Sequence, residues 1–166
     1  MAVHGTHNAV QDDRNEKILI YVNGELFPRN EAKISVFDSG YLVGDGIWEA
    51  LRLHDDVLVF LDEHLDRLWQ AAATVGMDMK MTRAELTDKI WYTLRANDMH
   101  DGVHVRFMIT RGTKKTPSQD PRLTMTGPNL VIIPEYKLAN PDSRNRGVTL
   151  SPVPFDAVHR IISTRD

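Results

Sequence analysis

Residues 46–53, GIWEALRL, alternate two sets of side chains, Trp48, Ala50 and Arg52 against Ile47, Glu49, Leu51 and Leu53. Period-two alternation marks a β-strand with one face turned to a core. Asp55-Asp56 then turns the chain into VLVFL at 57–61, so the segment specifies an antiparallel pair. The same logic opens the fold. Asn23-Gly24 lies between the apolar runs of KILIYVNGELFP, and both central residues of a type I′ turn need the positive φ that Asn and Gly tolerate.

From Asp62 the period becomes helical. Leu65, Leu68, Trp69, Ala72 and Ala73 share one stripe, Asp62 is placed to cap the first turn, and Gly76 to end the helix. A second helix follows TRAE at 82–85, a capping box of Thr82 and Glu85, with Leu86, Ile90 and Leu94 as its buried face and Asn97-Asp98 as its stop. VHVRFMITRG at 103–112 is strand-like again, with His104, Arg106 and Met108 on one face and Val105, Phe107 and Ile109 on the other. A polar loop, KKTPSQDPR, leads to a strand NLVIIPEY, a turn NPDSRNRG and a short strand VTLSPV. Hairpins with two main helices inserted predict an α+β domain with a largely antiparallel sheet.

Bulk properties exclude several classes. With 20 Lys+Arg against 23 Asp+Glu, overall charge advertises neither nucleic acid nor an anionic membrane. The apolar runs are only strand length, so no transmembrane segment is expected. The chain has no cysteine, which removes disulfides and cysteine metal sites. Residues 1–16 are polar and lack the apolar core of a signal peptide, which predicts a flexible leader on a cytoplasmic protein. Residues 17–154 are then the domain.

Candidate chemistry rests on few side chains. Arg67 is either an exposed helix arginine paired with Asp66 or Glu63, or a donor fork for a phosphate or carboxylate. Arg106, in the middle of a strand, either emerges at an edge or lines a cavity, as a structural ion pair or as a grip on a substrate carboxylate. His104 faces the same way. Val43 and Trp48 bracket the glycine turn GDGI, which delivers a large aromatic to the start of a strand, either as core or as a pocket wall. His4 and His7 sit in the leader, and His54 and His64 lack the spacing of a helical metal pair, so no metal site is predicted. Met77, Met79 and Met81 read as gap-filling core. No dinucleotide or Walker glycine loop and no nucleophile elbow is present.

In chain order, ISVFDSGYLVGDGIWEALRL, FLDEHLDRL and VRFMITRG resemble the class IV (fold type IV) pyridoxal-phosphate aminotransferases. That group includes branched-chain and D-amino-acid aminotransferases, (R)-amine transaminases and aminodeoxychorismate lyases. The resemblance runs from about Ile20 to Pro154. It implies that Arg67 binds the cofactor phosphate, that Val43 and Trp48 line the substrate pocket, and that Arg106 lies near the substrate carboxylate. His104 falls where branched-chain enzymes often have an aromatic hydroxyl. D-amino-acid aminotransferases use a basic pair in the loop after TRG, where this chain has Thr116 and Ser118, with Lys114 and Lys115 nearby. Branched-chain-like specificity is therefore preferred.

The resemblance further implies pyridoxal 5'-phosphate as cofactor, a small-molecule amino donor and 2-oxo acid acceptor, and a homodimer. The lysine that the family bonds to its cofactor is expected beyond Asp166, with 155–166 as the start of a connection to a second domain. The chain alone is then expected to be inactive. The alternatives are an aminodeoxychorismate lyase-like enzyme and a stand-alone, non-catalytic interaction domain.

Overall fold

A computed structural model describes residues 12–138 continuously. The turn and short strand expected over 140–153 and the connection expected over 155–166 lie outside the described residues. Strands β1 (Leu19–Val22) and β2 (Glu25–Pro28) form the first hairpin, with Asn23 at φ 51° and Gly24 at φ 111° as a type I′ turn requires. A short helix α1 (Ser39–Val43) precedes β3 (Gly46–His54), which pairs with β4 (Val57–Val59) through Asp55 and Asp56, both at positive φ. Helices α2 (Leu61–Thr74) and α3 (Arg83–Ala96) follow, then β5 (Val103–Thr110) and β6 (Asn129–Tyr136).

The strands form one six-stranded sheet in the order β2-β1-β6-β5-β3-β4, every neighbouring pair antiparallel. This is the predicted α+β architecture. Alternation sets its two faces. Ile47, Leu51 and Leu53 of β3, Val103, Val105, Phe107 and Ile109 of β5, and Leu130 and Ile132 of β6 are buried together with Leu65 and Leu68 of α2 and Leu86, Ile90 and Leu94 of α3. The helices thus cover one face, and burial of these side chains, each worth about 1.5–3 kcal/mol, supplies the main stabilisation.

Three details differ from the sequence reading. Asp62 does not cap α2: the N-cap is Phe60, in the left-handed region at φ 54° and with no side-chain cap bond. The strand runs into the helix with no intervening loop, so a single residue makes the turn, and Asp62 stays in the first turn, where the helix dipole favours an acid. Ala73 is exposed, because the buried stripe of α2 narrows to Leu65, Leu68 and Ala72 with Trp69 partly covered. Residues 13–17, mostly assigned to the leader, form a 3₁₀ turn (Asp13–Lys17). The Asn15 side chain bonds both the backbone carbonyl and the N–H of Tyr136, at 2.9 and 2.8 Å, and fastens this turn to the end of β6. The capping box of α3 forms as read, and Met77 and Met79 are core.

Candidate active site

The glycine turn before β3 is built from hydrogen bonds that leave it little freedom. Asp38 caps α1, accepting from the Gly40 N–H at 2.8 Å, and Gly44 ends it in the left-handed region at φ 70°. The Asp38 carboxylate is fully buried and also accepts from Thr110 Oγ1 and Asn129 Nδ2, each at 2.6 Å, so α1 is tied to the ends of β5 and β6. Asp45 takes a two-pronged bond from Arg111, Nε at 2.7 Å and Nη2 at 3.2 Å. The same guanidinium donates to the carbonyls of Val75 and Gly76, 2.9 Å each, at the C-terminal end of α2. Helix and turn are stapled to one side chain.

Beyond this turn Trp48 emerges on the sheet face that the helices leave open, 58% exposed, and walls a cleft of about 340 Å³ with Ile34, Tyr41, Met108 and Val131. Asp38, Thr110 and Asn129 reach the same cleft. Because their polar atoms bond one another, they are structural floor rather than reactive groups.

Arg106 lies on the same open face, in a central strand and not at the sheet edge. Its guanidinium carbon sits 4.4 Å from the Trp48 ring centroid, a cation–π arrangement. Among the described residues it forms no ion pair with a carboxylate. His104, two residues along, is half-buried on that face. Burial, followed by the positive charges of Lys137, Arg52 and Arg106, lowers its pKa against the pull of Glu135, which favours a neutral imidazole. Val43, the last residue of α1, is exposed and does not line the cleft.

Arg67 belongs to the other face. It neither pairs with Glu63 nor with Asp66, whose partner is Arg83 of α3. Instead Nε and Nη2 grip both oxygens of Glu49, at 2.7 and 2.8 Å. His64, one turn earlier on α2, brings Nδ1 to 2.5 Å from Glu49 Oε2. A carboxylate accepts only, so Nδ1 carries the hydrogen, and the 3.3 Å approach of Arg67 Nη2 to that nitrogen is proximity between two donors. Glu49 is nearly buried. Burial alone would raise its pKa, but the bonds from Arg67 and His64 outweigh it and hold the carboxyl below the usual range. The Arg67 side chain remains 66% exposed, and its Nη1 has no hydrogen-bond partner among the described residues.

Trp48, Arg106 and His104 are therefore brought together, whereas Arg67 stands on the opposite face of β3, joined to them through the consecutive residues Trp48 and Glu49. Glu49 and His64 are absent from the sequence-based candidates. The available signal is an acid at a core position of an alternating strand, between Ile47 and Leu51, which requires a buried partner.

The family model described as amino-transferase class IV matches residues 46–158. The chain belongs to the class IV aminotransferase family. It is 40% identical over 123 residues to branched-chain-amino-acid aminotransferase-like protein 1 of Arabidopsis thaliana, covering 74% of this chain and 22% of that one. It is 36% identical over 93 residues to the D-alanine aminotransferase of Bacillus licheniformis, covering 56% of this chain and 32% of that one. The fold matches the crystal structure of the branched-chain aminotransferase from the thermophilic archaeon Thermoproteus uzoniensis with norvaline, with a TM-score of 0.59 at 22% identity over 71% of this chain and 40% of that one. This class IV chain thus spans well under half the length of each of these proteins. No helix among its described residues is long and apolar enough to cross a membrane.

Proposed function

We propose that the protein to which these residues contribute is a cytoplasmic, homodimeric aminotransferase. It exchanges an amino group between an amino acid or amine and a 2-oxo acid with pyridoxal 5'-phosphate. The observation that carries this reading beyond the family is the Arg67 guanidinium. It is fixed along one edge by Glu49 and exposed along the other, which suits a cation awaiting a phosphate.

Arg67 would hold the cofactor's phosphate. Pyridoxal phosphate, when bound, supplies the electron-accepting ring on which amino groups are exchanged. Arg106 offers its fork to a substrate carboxylate, Trp48 walls the space beside it, and His104, favoured in its neutral form, can donate or accept a hydrogen bond without competing as a charge. Val43 lies outside the cleft and carries no role in this reading. The family's cofactor-bonding lysine is assigned to a part of the protein outside residues 12–138. Lys114, although fully buried, is committed to the Asp120 carbonyl at 3.0 Å.

Branched-chain-like donors are preferred over D-amino acids, because Thr116 and Ser118 occupy the loop positions where the latter enzymes have their basic pair and Lys114 is turned inward. A donor panel of L-leucine, D-alanine and (R)-1-phenylethylamine, followed by cofactor absorbance, tests the assignment. With Arg106→Leu, the KM for a carboxylate-bearing donor should rise by about 10- to 100-fold, the worth of a charge-assisted bond, while the amine without a carboxylate changes little. Equal effects on both would remove Arg106 from the carboxylate site, and no absorbance change with any donor would remove the aminotransferase reading.

A further inference from the structure

We infer that Glu49 is a positioning residue for the phosphate ligand: it locks the Arg67 guanidinium by its Nε/Nη2 edge so that Nη1 is presented outward, and His64 in turn locks Glu49. This rests on the reading of Arg67 as the phosphate-binding cation.

A free arginine side chain explores many rotamers, and ordering it on a ligand costs binding energy. Here that ordering precedes the ligand. The carboxylate comes from β3, paired at this point with Phe107 of β5, and its own side chain is only 7% exposed. The guanidinium it holds comes from α2 and is 66% exposed. Both carboxylate oxygens are used by Arg67, and Oε2 is shared with His64 at 2.5 Å. Three bonds from two positions on one helix to one buried carboxylate fix its rotamer as well as that of the arginine. No other described carboxylate pairs with Arg67.

The sign of the charge separates this role from a merely electrostatic one. A negative Glu49 beside Arg67 subtracts from the pull on a dianionic phosphate. If charge alone mattered, Glu49→Gln would therefore tighten phosphate binding. If orientation dominates, the same change weakens it, because glutamine has one acceptor oxygen and cannot accept from both Nε and Nη2.

The experiment measures binding of pyridoxal 5'-phosphate and of pyridoxal, which lacks the phosphate, to the full-length protein, with the ³¹P resonance of the bound cofactor as a second readout. Arg67→Gln should collapse the preference for the phosphorylated form. If it does not, the reading of Arg67 fails and this inference with it. Given that collapse, Glu49→Gln and Glu49→Asp should each lower the preference by about 10- to 100-fold, the scale seen when a group orienting a ligating side chain is removed. Each should also shift and broaden the ³¹P line, and adding Glu49→Gln to Arg67→Gln should cost nothing further. His64→Gln should give a smaller loss. An unchanged or raised preference in Glu49→Gln overturns the positioning role while leaving Arg67 in place. Should that variant not fold, Glu49→Asp, which keeps the buried charge but is one methylene too short to bring it to the Arg67 donors, decides in the same way.

Discussion

The two faces of the sheet are made from alternate residues of the same strands, yet they are held by different physics. On the covered face Val103, Val105, Phe107 and Ile109 of β5 are fully buried against α2 and α3. On the open face their immediate neighbours His104, Arg106 and Met108 are half-buried or exposed, and the closest organised contact is the stacking of Arg106 on Trp48. Packing density fixes the first set. The second set is fixed mainly by the backbone beneath it, which leaves its polar groups available to a ligand. The candidate chemistry sits accordingly at Trp48, His104 and Arg106, and on the covered side only at the rim, where Glu49 meets Arg67.

Truncating two consecutive residues of β5 tests this contrast most severely. Phe107→Ala should cost about 3–5 kcal/mol, because it opens a cavity in a close-packed core. Met108→Ala, facing the other way, should cost about 1 kcal/mol. Urea midpoints of the two variants measure the contrast, and equal losses would mean that the open face is packed as well.

A smaller effect is expected where the two faces meet, at the glycine turn. A Cβ on Gly40 would lie 2.6 Å from Thr110 Cγ2 and 3.0 Å from Asp38 Oδ1. Thr110 cannot swing away without giving up its 2.6 Å bond to Asp38. Gly40→Ala should therefore lower stability by about 1–3 kcal/mol, as overpacking does, and alter Trp48 fluorescence because α1 and the start of β3 share that network.

The smallest effect concerns pH. His54 and His100 bridge the β3–β4 turn and the α3–β5 loop by bonding Asp101 and Asp56, 2.7 Å each, and these bonds raise both histidine pKa values above 6.5. Their stabilisation is complete below 6.5 and is lost as pH rises through the folded values. His104 has the opposite sign: its folded pKa is lowered, so its contribution is present above 6.5 and is lost as pH falls toward the folded value. Stability should thus pass through a shallow maximum near 6.5. Denaturant midpoints between about pH 5.5 and 8 test it. The double change His54→Gln with His100→Gln should flatten only the alkaline limb, and His104→Gln only the acid limb.

Much of this is legible in the chain because it is a matter of parity and local chemistry. The alternation of 46–53 and 103–110 tells which residues face the core, Asn23-Gly24 and Asp55-Asp56 give the hairpins, and Thr82 with Glu85 gives the start of α3. Such signals depend on neighbours a few residues away. The family resemblance singles out Arg67 as the residue proposed to hold a phosphate, but sequence proximity points to the wrong partner for it. Glu63 and Asp66 are nearer along the chain, while Glu49, 18 residues away in another element, is nearer in space. The His54–Asp101 pair, separated by 47 residues, is likewise hidden.

Which residues alternate, where the hairpins turn, where α3 begins and which family the pattern resembles can all be read from the chain, because turn chemistry and periodicity are properties of a local stretch. That Arg67 and Arg106 occupy opposite faces of one sheet, that Glu49 and His64 hold the first, and that Trp48 lies against the second emerge only in three dimensions. Those relations depend on strand order and on which element crosses which, and these are settled by burying the common core rather than by any single segment.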